Sequence, residues 1–203
     1  MTWNARIRRM ADDDWEDVVG LETRAYAALG LSEGRAALES KARVSPATCF
    51  ALELVPGPGA DPGADPGAGA RLAGYLLALP YPERSYPGLA RREEAAAPSR
   101  NLHLHDLVIA EDVRGRGLGK RLLGRLTAAA RAQGYEQISL IAVGGSHTFW
   151  SASGFTAREG VEARGYGPGS VYMTMALPSG QVEGDRTAVG GLPIGAPSRE
   201  EVG

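Results

Sequence analysis

Two histidines stand two positions apart in an apolar run, "LHLHDLVI", at residues 102–109. Such a run predicts a β-strand, and side chains at positions i and i+2 of a strand share one face. His103 and His105 are therefore expected side by side. Imidazole has a pKa near 6.5 and can take up or release a proton close to neutral pH. The pair is a candidate proton-transfer site, and the alternative is two half-exposed strand residues that carry no proton.

A glycine-rich basic segment, "RGRGLGKR", follows this strand at residues 114–121. Glycine lets backbone amides approach an anion closely, and a helix that begins in the segment adds the positive end of its dipole. Full charges come from Arg114, Arg116, Lys120 and Arg121. The segment predicts a site for a pyrophosphate-sized anion, and the alternative is a basic loop that only caps a helix.

Two common phosphate-binding patterns do not fit this segment. A P-loop needs glycine where Arg114 stands and serine or threonine where Arg121 stands. A dinucleotide-binding fingerprint needs glycine at the position of Lys120. The predicted anion site is therefore of another kind.

The elements that position these groups follow from the hydrophobic pattern. Strands are predicted at about residues 4–10, 48–55, 71–79, 102–109, 136–143 and 170–177, and helices at about 11–27, 32–43, 117–133 and 146–153. This mixture predicts a single α/β domain over residues 1–177. Two segments fall outside the pattern: residues 56–70 are expected to form a flexible Pro/Gly/Ala loop, and residues 178–203 a disordered tail.

Composition limits the classes of function. The chain of 203 residues has a net charge of −2, which argues against binding nucleic acid or an anionic membrane through the overall field. A single cysteine, Cys49, allows no internal disulfide, and no Cys/His cluster has zinc-ligand spacing. No apolar run is long enough to span a bilayer. We therefore expect a cytoplasmic protein with neither a nucleic-acid nor a membrane partner, as a monomer or homodimer.

The pattern Arg114-x-x-Gly117-x-Gly119 after an apolar strand, followed by "FWSASGF" at residues 149–155, resembles the acetyl-CoA motifs of the GCN5-related N-acetyltransferase (GNAT) family. The resemblance implies an α/β GNAT fold with a mixed, mostly antiparallel, V-splayed central sheet flanked by helices. It also implies acetyl-CoA as the cofactor in the cleft. The residues expected to bind it are Leu107, Val108, Ile109, Arg114, Gly115, Arg116, Gly117, Leu118, Gly119, Lys120, Ser146 and Trp150.

Acetyl transfer implies a base, because a free alkylamine with a pKa near 10.4 must lose a proton before it attacks. Paired histidines also resemble those of the arylalkylamine N-acetyltransferase branch, so His105, acting through His103, is the predicted base. The amide of Val108 or Ile109 is the predicted donor to the thioester oxygen. Asp106 is expected on the opposite face of a regular strand, and a β-bulge would change that.

Members of the family often have a tyrosine at the position of Trp150, and its hydroxyl protonates the departing thiolate. The indole of Trp150 cannot supply that proton. Candidates for that role are Tyr166, Tyr172, Ser146, His147 and water. The acceptor is expected to be a small primary amine, in a site to which Trp15, Tyr26, Tyr81 and Tyr86 are candidates to contribute. A peptide or protein amine remains open, as does a non-catalytic acyl-CoA-binding sensor.

Overall fold

A computed structural model describes residues 3–57 and 69–178. The predicted tail at 178–203 and most of the predicted loop at 56–70 lie outside these residues. The strands are β1 (Trp3–Arg9), β2 (Phe50–Pro56), β3 (Arg71–Pro80), β4 (Asn101–Ile109), β5 (Gln137–Ala142), β6 (Thr156–Ala157) and β7 (Val171–Ala176). The helices are α1 (Trp15–Tyr26), α2 (Arg35–Val44), α3 (Leu118–Ala132) and α4 (His147–Ser151).

All seven strands of the described chain join one sheet in the order β1-β2-β3-β4-β5-β7-β6. Every neighbouring pair is antiparallel except β4 and β5, which run parallel. The predicted strands and helices are therefore present within a few residues of their expected ends. Only β6 was not predicted, since it has two exposed residues and no hydrophobic pattern.

The centre of the sheet opens into a V. β4 and β5 are paired only from Asn101 to His103 on one strand and from Gln137 to Ser139 on the other. Beyond these pairs both strands continue without each other, β4 to Ile109 and β5 to Ala142. The mixed, splayed sheet with flanking helices confirms the predicted fold class.

Two apolar cores cover the two faces of the sheet. On one face α3 buries the stripe formed by Leu118, Leu122, Leu123, Leu126 and Ala130 against β2 to β5. On the other face α1 and α2 pack around Tyr75, Leu77 and Val108. Leu102 and Leu104 of β4 belong to the first core, so His103 and His105, which alternate with them, lie on this second face. No helix in the described ranges is both long and apolar enough to cross a membrane.

Candidate active site

A cleft of about 720 Å³ fills the opening of the V. Its walls come from β4 beyond His103, the glycine turn, the start of α3, the end of β5 and α4. Eleven of the twelve residues expected to bind acetyl-CoA line it, namely Leu107, Val108, Ile109, Arg114, Gly115, Gly117, Leu118, Gly119, Lys120, Ser146 and Trp150. The twelfth, Arg116, is not part of this lining, and its guanidinium donates to the carbonyl oxygen of Asp112 at 3.4 Å.

The glycine turn leaves backbone amides free at the start of α3. Gly115 and Gly117 have φ values of 76° and 74°, in the left-handed region that glycine adopts without strain. Gly117 is the N-cap residue of α3 and supplies no side-chain cap, so the first amides of the helix keep their hydrogen atoms unpaired. A Cβ added at either glycine would meet no atom of the described residues within 4 Å, so the turn is open beside both glycines. The turn can accept an anion.

The exposed backbone edge of β4 forms a second binding element of the cleft. The amide of Ala110 donates to the carbonyl oxygen of Ala73 on β3 at 2.9 Å. Amides alternate sides along a regular strand, and the register with β3 is regular from Asp106 to Ile109. The Val108 amide therefore points to β3, and those of Leu107 and Ile109 point into the cleft. The prediction named the Val108 or Ile109 amide as donor to the thioester oxygen. The Val108 amide points away from the cleft, so that choice was wrong, whereas the Ile109 amide points into the cleft.

A β-bulge in β4 changes which residues face the site. Leu77 of β3 pairs with Asp106, but the next residue, Ala78, pairs with Leu104, so His105 is the extra residue. Asp106 therefore lies on the same face as His105, together with Val108 in the core under α1 and α2. The face expected for a regular strand was wrong, because the bulge shifts the alternation by one residue.

His105 is held by a hydrogen-bonding contact with Glu33 that the sequence did not indicate. Its Nε2 contacts Glu33 Oε1, and the other oxygen of Glu33 contacts Lys41 Nζ at 2.6 Å. The side chains of His105, Glu33 and Lys41 are at most 3% exposed. Glu33 lies between α1 and α2, in a segment without hydrophobic periodicity, and Lys41 is a buried lysine on α2, which sequence patterns place outside a core.

His103 is more deeply placed than His105. Its Nδ1 lies 3.0 Å from Ser139 Oγ on β5, and its ring centroid is 6.2 Å from that of His105. Burial lowers the pKa of His103 well below its usual value, and the nearby His105 acts in the same direction. The cleft lining includes His105 but not His103. His103 is therefore a neutral, buried neighbour of the candidate base.

Asp106 is a buried acid beside His105. Its carboxylate accepts a hydrogen bond from the hydroxyl of Tyr75 at 2.9 Å. Burial raises its pKa to about 6, and the charge of Glu33 adds to this effect. The charge of His105 and hydrogen bonds from Tyr75 and Tyr26 act in the opposite direction.

A small chamber of about 30 Å³ adjoins the cleft. Four residues line both spaces, namely Tyr26, His105, Ile141 and Val143. Polar groups of Glu33, Asp106 and Tyr166 complete the chamber together with Leu31 and Leu89. A volume of this size is about that of one water molecule in the liquid, and it suits a small polar head group.

The four candidate acids take different positions. Ser146 lines the cleft, and its Oγ accepts a hydrogen bond from Trp150 Nε1 at 3.2 Å. The hydroxyl of Tyr172 accepts from the Arg84 amide, and that of Tyr166 donates to the carbonyl oxygen of Pro87. His147 is exposed at the start of α4.

Of the predicted acceptor-site aromatics, Tyr26 lines the chamber, whereas Trp15 lines a separate groove near Cys49.

Comparison with known proteins agrees with this geometry. Residues 64–155 match the model of the Acetyltransferase (GNAT) family, a range that includes β3, β4, the glycine turn, α3, β5 and α4. A comparison with curated proteins found no match.

Three solved structures illustrate the similarity in fold. Ard1 from Thermoplasma volcanium has a TM-score of 0.60 and 14% identity, over 86% of this chain and 98% of that one. The PaiA N-acetyltransferase from Thermoplasma acidophilum in complex with coenzyme A has a TM-score of 0.56 and 12% identity, over 85% and 99%. N-acetylglutamate synthase from Neisseria gonorrhoeae, complexed with coenzyme A and N-acetyl-glutamate, has a TM-score of 0.60 and 18% identity, over 86% and 35%.

At identities of 12–18% the solved structures establish only the fold. The family match identifies residues 64–155 as a GNAT acetyltransferase domain. The glycine turn, the splayed strands and the cleft lining other than Ala25, Tyr26 and Leu29 lie within the matched range. The chain carries an acetyltransferase domain of the GNAT family, whose acetyl donor is acetyl-CoA.

Proposed function

We propose that this acetyltransferase moves the acetyl group of acetyl-CoA to the primary amine of a small molecule, with His105 as the general base. The observation that carries the proposal is the position of His105, which lines both the long cleft and the small chamber. A base at this position faces the donor on one side and the acceptor on the other.

The cleft residues fit the donor. The open amides at Gly115 and Gly117 suit its pyrophosphate, and the ammonium of Lys120 lies in the same lining. The exposed edge of β4 offers Leu107 and Ile109 as hydrogen-bond partners for an extended amide-containing arm. Apolar walls at Leu118 and Phe149 suit its methylene groups. When bound, acetyl-CoA supplies a thioester carbonyl as the electrophile.

The base has a free acceptor atom. A carboxylate accepts hydrogen bonds and does not donate them, so the contact with Glu33 leaves the proton of neutral His105 on Nε2. Nδ1 is then the lone-pair nitrogen, and it is buried with no hydrogen-bond partner among the described residues. An acceptor amine that reaches this atom can give up its proton there. The Leu107 and Ile109 amides stabilise the negative charge that develops on the carbonyl oxygen.

The chamber favours a cationic amine. Two carboxyl groups, those of Glu33 and Asp106, line the chamber, whereas the buried ammonium of Lys41 is paired with Glu33. The ring of Tyr26 adds an aromatic wall, which a cation contacts favourably. The small volume leaves room for a primary amine head and not for a substituted one. An arylalkylamine, a polyamine, an amino acid or an aminoglycoside can present such a head.

Thiol release from acetyl-CoA tests the proposal. The purified protein is assayed against arylalkylamines, polyamines, amino acids, aminoglycosides and short peptides, and acetylated products are identified by mass. We expect turnover with a small primary amine and none with its N,N-dimethyl analogue. Turnover with peptides alone would contradict the small-molecule assignment. No turnover across the panel, with acetyl-CoA binding measured by calorimetry, would instead favour a non-catalytic acyl-CoA-binding sensor.

A further inference from the structure

Glu33 sits between two buried partners. One carboxylate oxygen contacts His105 Nε2 and the other lies 2.6 Å from Lys41 Nζ. The backbone of Glu33 is fixed as well, because its amide donates to the carboxylate of Glu22 at 2.7 Å. Glu22 also accepts from the Ser32 hydroxyl at 2.7 Å and is itself 1% exposed. The carboxylate that contacts His105 is therefore held from both its main chain and its side chain.

Lys41 uses all three of its protons. Besides Glu33, its ammonium donates to the carbonyl oxygens of Leu89 and Arg91, at 2.9 and 3.0 Å. Both carbonyls belong to the loop between β3 and β4, and Leu89 lines the small chamber. Lys41 thus fixes the rotamer of Glu33 and joins it to a wall of the acceptor chamber.

The direction of the Glu33 contact decides which nitrogen of His105 is free. A neutral imidazole that donates its Nε2 hydrogen to a carboxylate has Nδ1 as its only hydrogen-bond acceptor. That nitrogen is buried and lacks a partner among the described residues. If the tautomer were reversed, the free nitrogen would face Glu33, and proton transfer from the chamber would lose its acceptor.

We propose that Glu33, held by Lys41, is a positioning residue that keeps His105 in the tautomer with the proton on Nε2 and the lone pair on Nδ1. The proposal rests on the proposed function, in which His105 is the base. In the serine protease triad, loss of the aspartate that fixes the histidine tautomer lowers kcat by about 10⁴. Hydrogen-bond partners that orient metal-bound histidines contribute about 10- to 100-fold, and we take this range as the guide for Glu33.

The tautomer of His105 can be measured without any substrate. In protein labelled with ¹⁵N-histidine, long-range proton–nitrogen correlations separate the two neutral tautomers of each imidazole. The chain has three histidines, so variants that remove His105 or His147 in turn assign the signals. We expect neutral His105 to carry its proton on Nε2. A proton on Nδ1 in the unmodified protein would overturn the proposal, whatever the enzyme acetylates.

A paired variant tests the kinetic consequence. Glu33→Gln combined with Lys41→Met removes both charges, so that neither is left buried without a partner. We expect kcat to fall at least about 10-fold and the KM for acetyl-CoA to stay unchanged. The His105 signals should then show a mixture of tautomers.

The matched control is Arg35→Met with Glu39→Gln. It removes a carboxylate–cation pair within α2 that is more exposed and lines the separate groove near Cys49, whose lining does not include His105. This control should keep kcat and the tautomer of the unmodified protein. A folded Glu33/Lys41 variant that keeps both kcat and the tautomer would contradict the proposal. If that variant does not fold, the tautomer seen in the spectrum of the unmodified protein tests the proposal by itself. If no amine is acetylated, the proposed function fails while the tautomer measurement still stands.

Discussion

At the scale of single residues, the site is a group of buried ionisable side chains on one face of β4. His105 and Asp106 share that face because of the bulge at His105, and Glu33 reaches the same place from the segment before α2. Three buried polar groups next to a cleft are costly for folding, and such groups are commonly kept for chemistry. Their protonation states can be tested through stability.

Asp106→Asn should stabilise the fold at neutral pH. Burial raises the pKa of Asp106 to about 6, so the folded state binds a proton more readily than the unfolded state, where the pKa is near 3.9. The folded state loses stability as pH rises from about 4 to 6, and the loss is constant above that range. A shift of about two units corresponds to about 3 kcal/mol as an upper limit.

Urea unfolding of both proteins between pH 4 and pH 8 measures this difference. The free-energy advantage of Asp106→Asn should be smallest near pH 4 and reach its maximum above pH 6. Asp112→Asn is the control, since that side chain is 60% exposed and should change stability by less than about 1 kcal/mol. An advantage of Asp106→Asn that shrinks as pH rises would contradict the assigned pKa shift.

At the scale of elements, the glycine turn and α3 act as one anion-binding unit. Gly117 ends the turn with φ at 74° and caps α3, while Gly124 lies about two helical turns further on with open space around it. The same substitution at these two glycines should therefore have opposite consequences.

Gly117→Ala should weaken coenzyme A binding about tenfold or more. Alanine in the left-handed region costs about 1–2 kcal/mol, the size of a tenfold change in affinity, and relief of this strain moves the amides of the turn. Gly124→Ala should leave binding unchanged and raise stability by about 1 kcal/mol, because alanine is the better helix former. Calorimetric titration with coenzyme A compares the two, and equal affinities would contradict the anion-binding role of the turn.

The sequence was sufficient for the elements and for the part of the cleft lining on β4 and the glycine turn, since strand and helix periodicities and the glycine turn are local signals. It was not sufficient for the surroundings of His105. The bulge that puts Asp106 beside His105 leaves no mark in the pattern "LHLHDLVI". Glu33 and Lys41 join the site only through tertiary contacts, across 72 positions in the case of Glu33 and His105. Sequence periodicity carries no information about contacts at that range.

At the scale of the whole molecule, the parting of β4 from β5 makes the site possible. The two strands hold together over three residue pairs and then separate, which exposes the backbone edge of β4 to the cleft. β3 separates β2 from β4, and Arg71 at the start of β3 pairs with Asp112, shortly before the glycine turn. A deletion in the β2–β3 connection that keeps Arg71 and its pairing should therefore leave the cleft in place.

Deletion of residues 58–68 should leave the fold and coenzyme A affinity intact. Leu54 and Arg71 are paired across β2 and β3, and joining Gly57 to Gly69 still leaves a hairpin connection between them. Loop-closure entropy changes slowly with length, by about 0.6 kcal/mol for each doubling. Thermal unfolding with and without coenzyme A measures both properties. Loss of ligand-induced stabilisation in the shortened protein would show that the segment contributes to the site.

Comparison of His105→Ala with the unmodified protein tests whether His105 is the general base. Once an acceptor amine is known, kcat of His105→Ala is measured beside that of the unmodified protein at neutral pH, with acetyl-CoA affinity measured on both. We expect kcat to fall about 10²- to 10⁴-fold in His105→Ala, with nearly unchanged affinity for acetyl-CoA. An unchanged kcat would remove His105 from the mechanism.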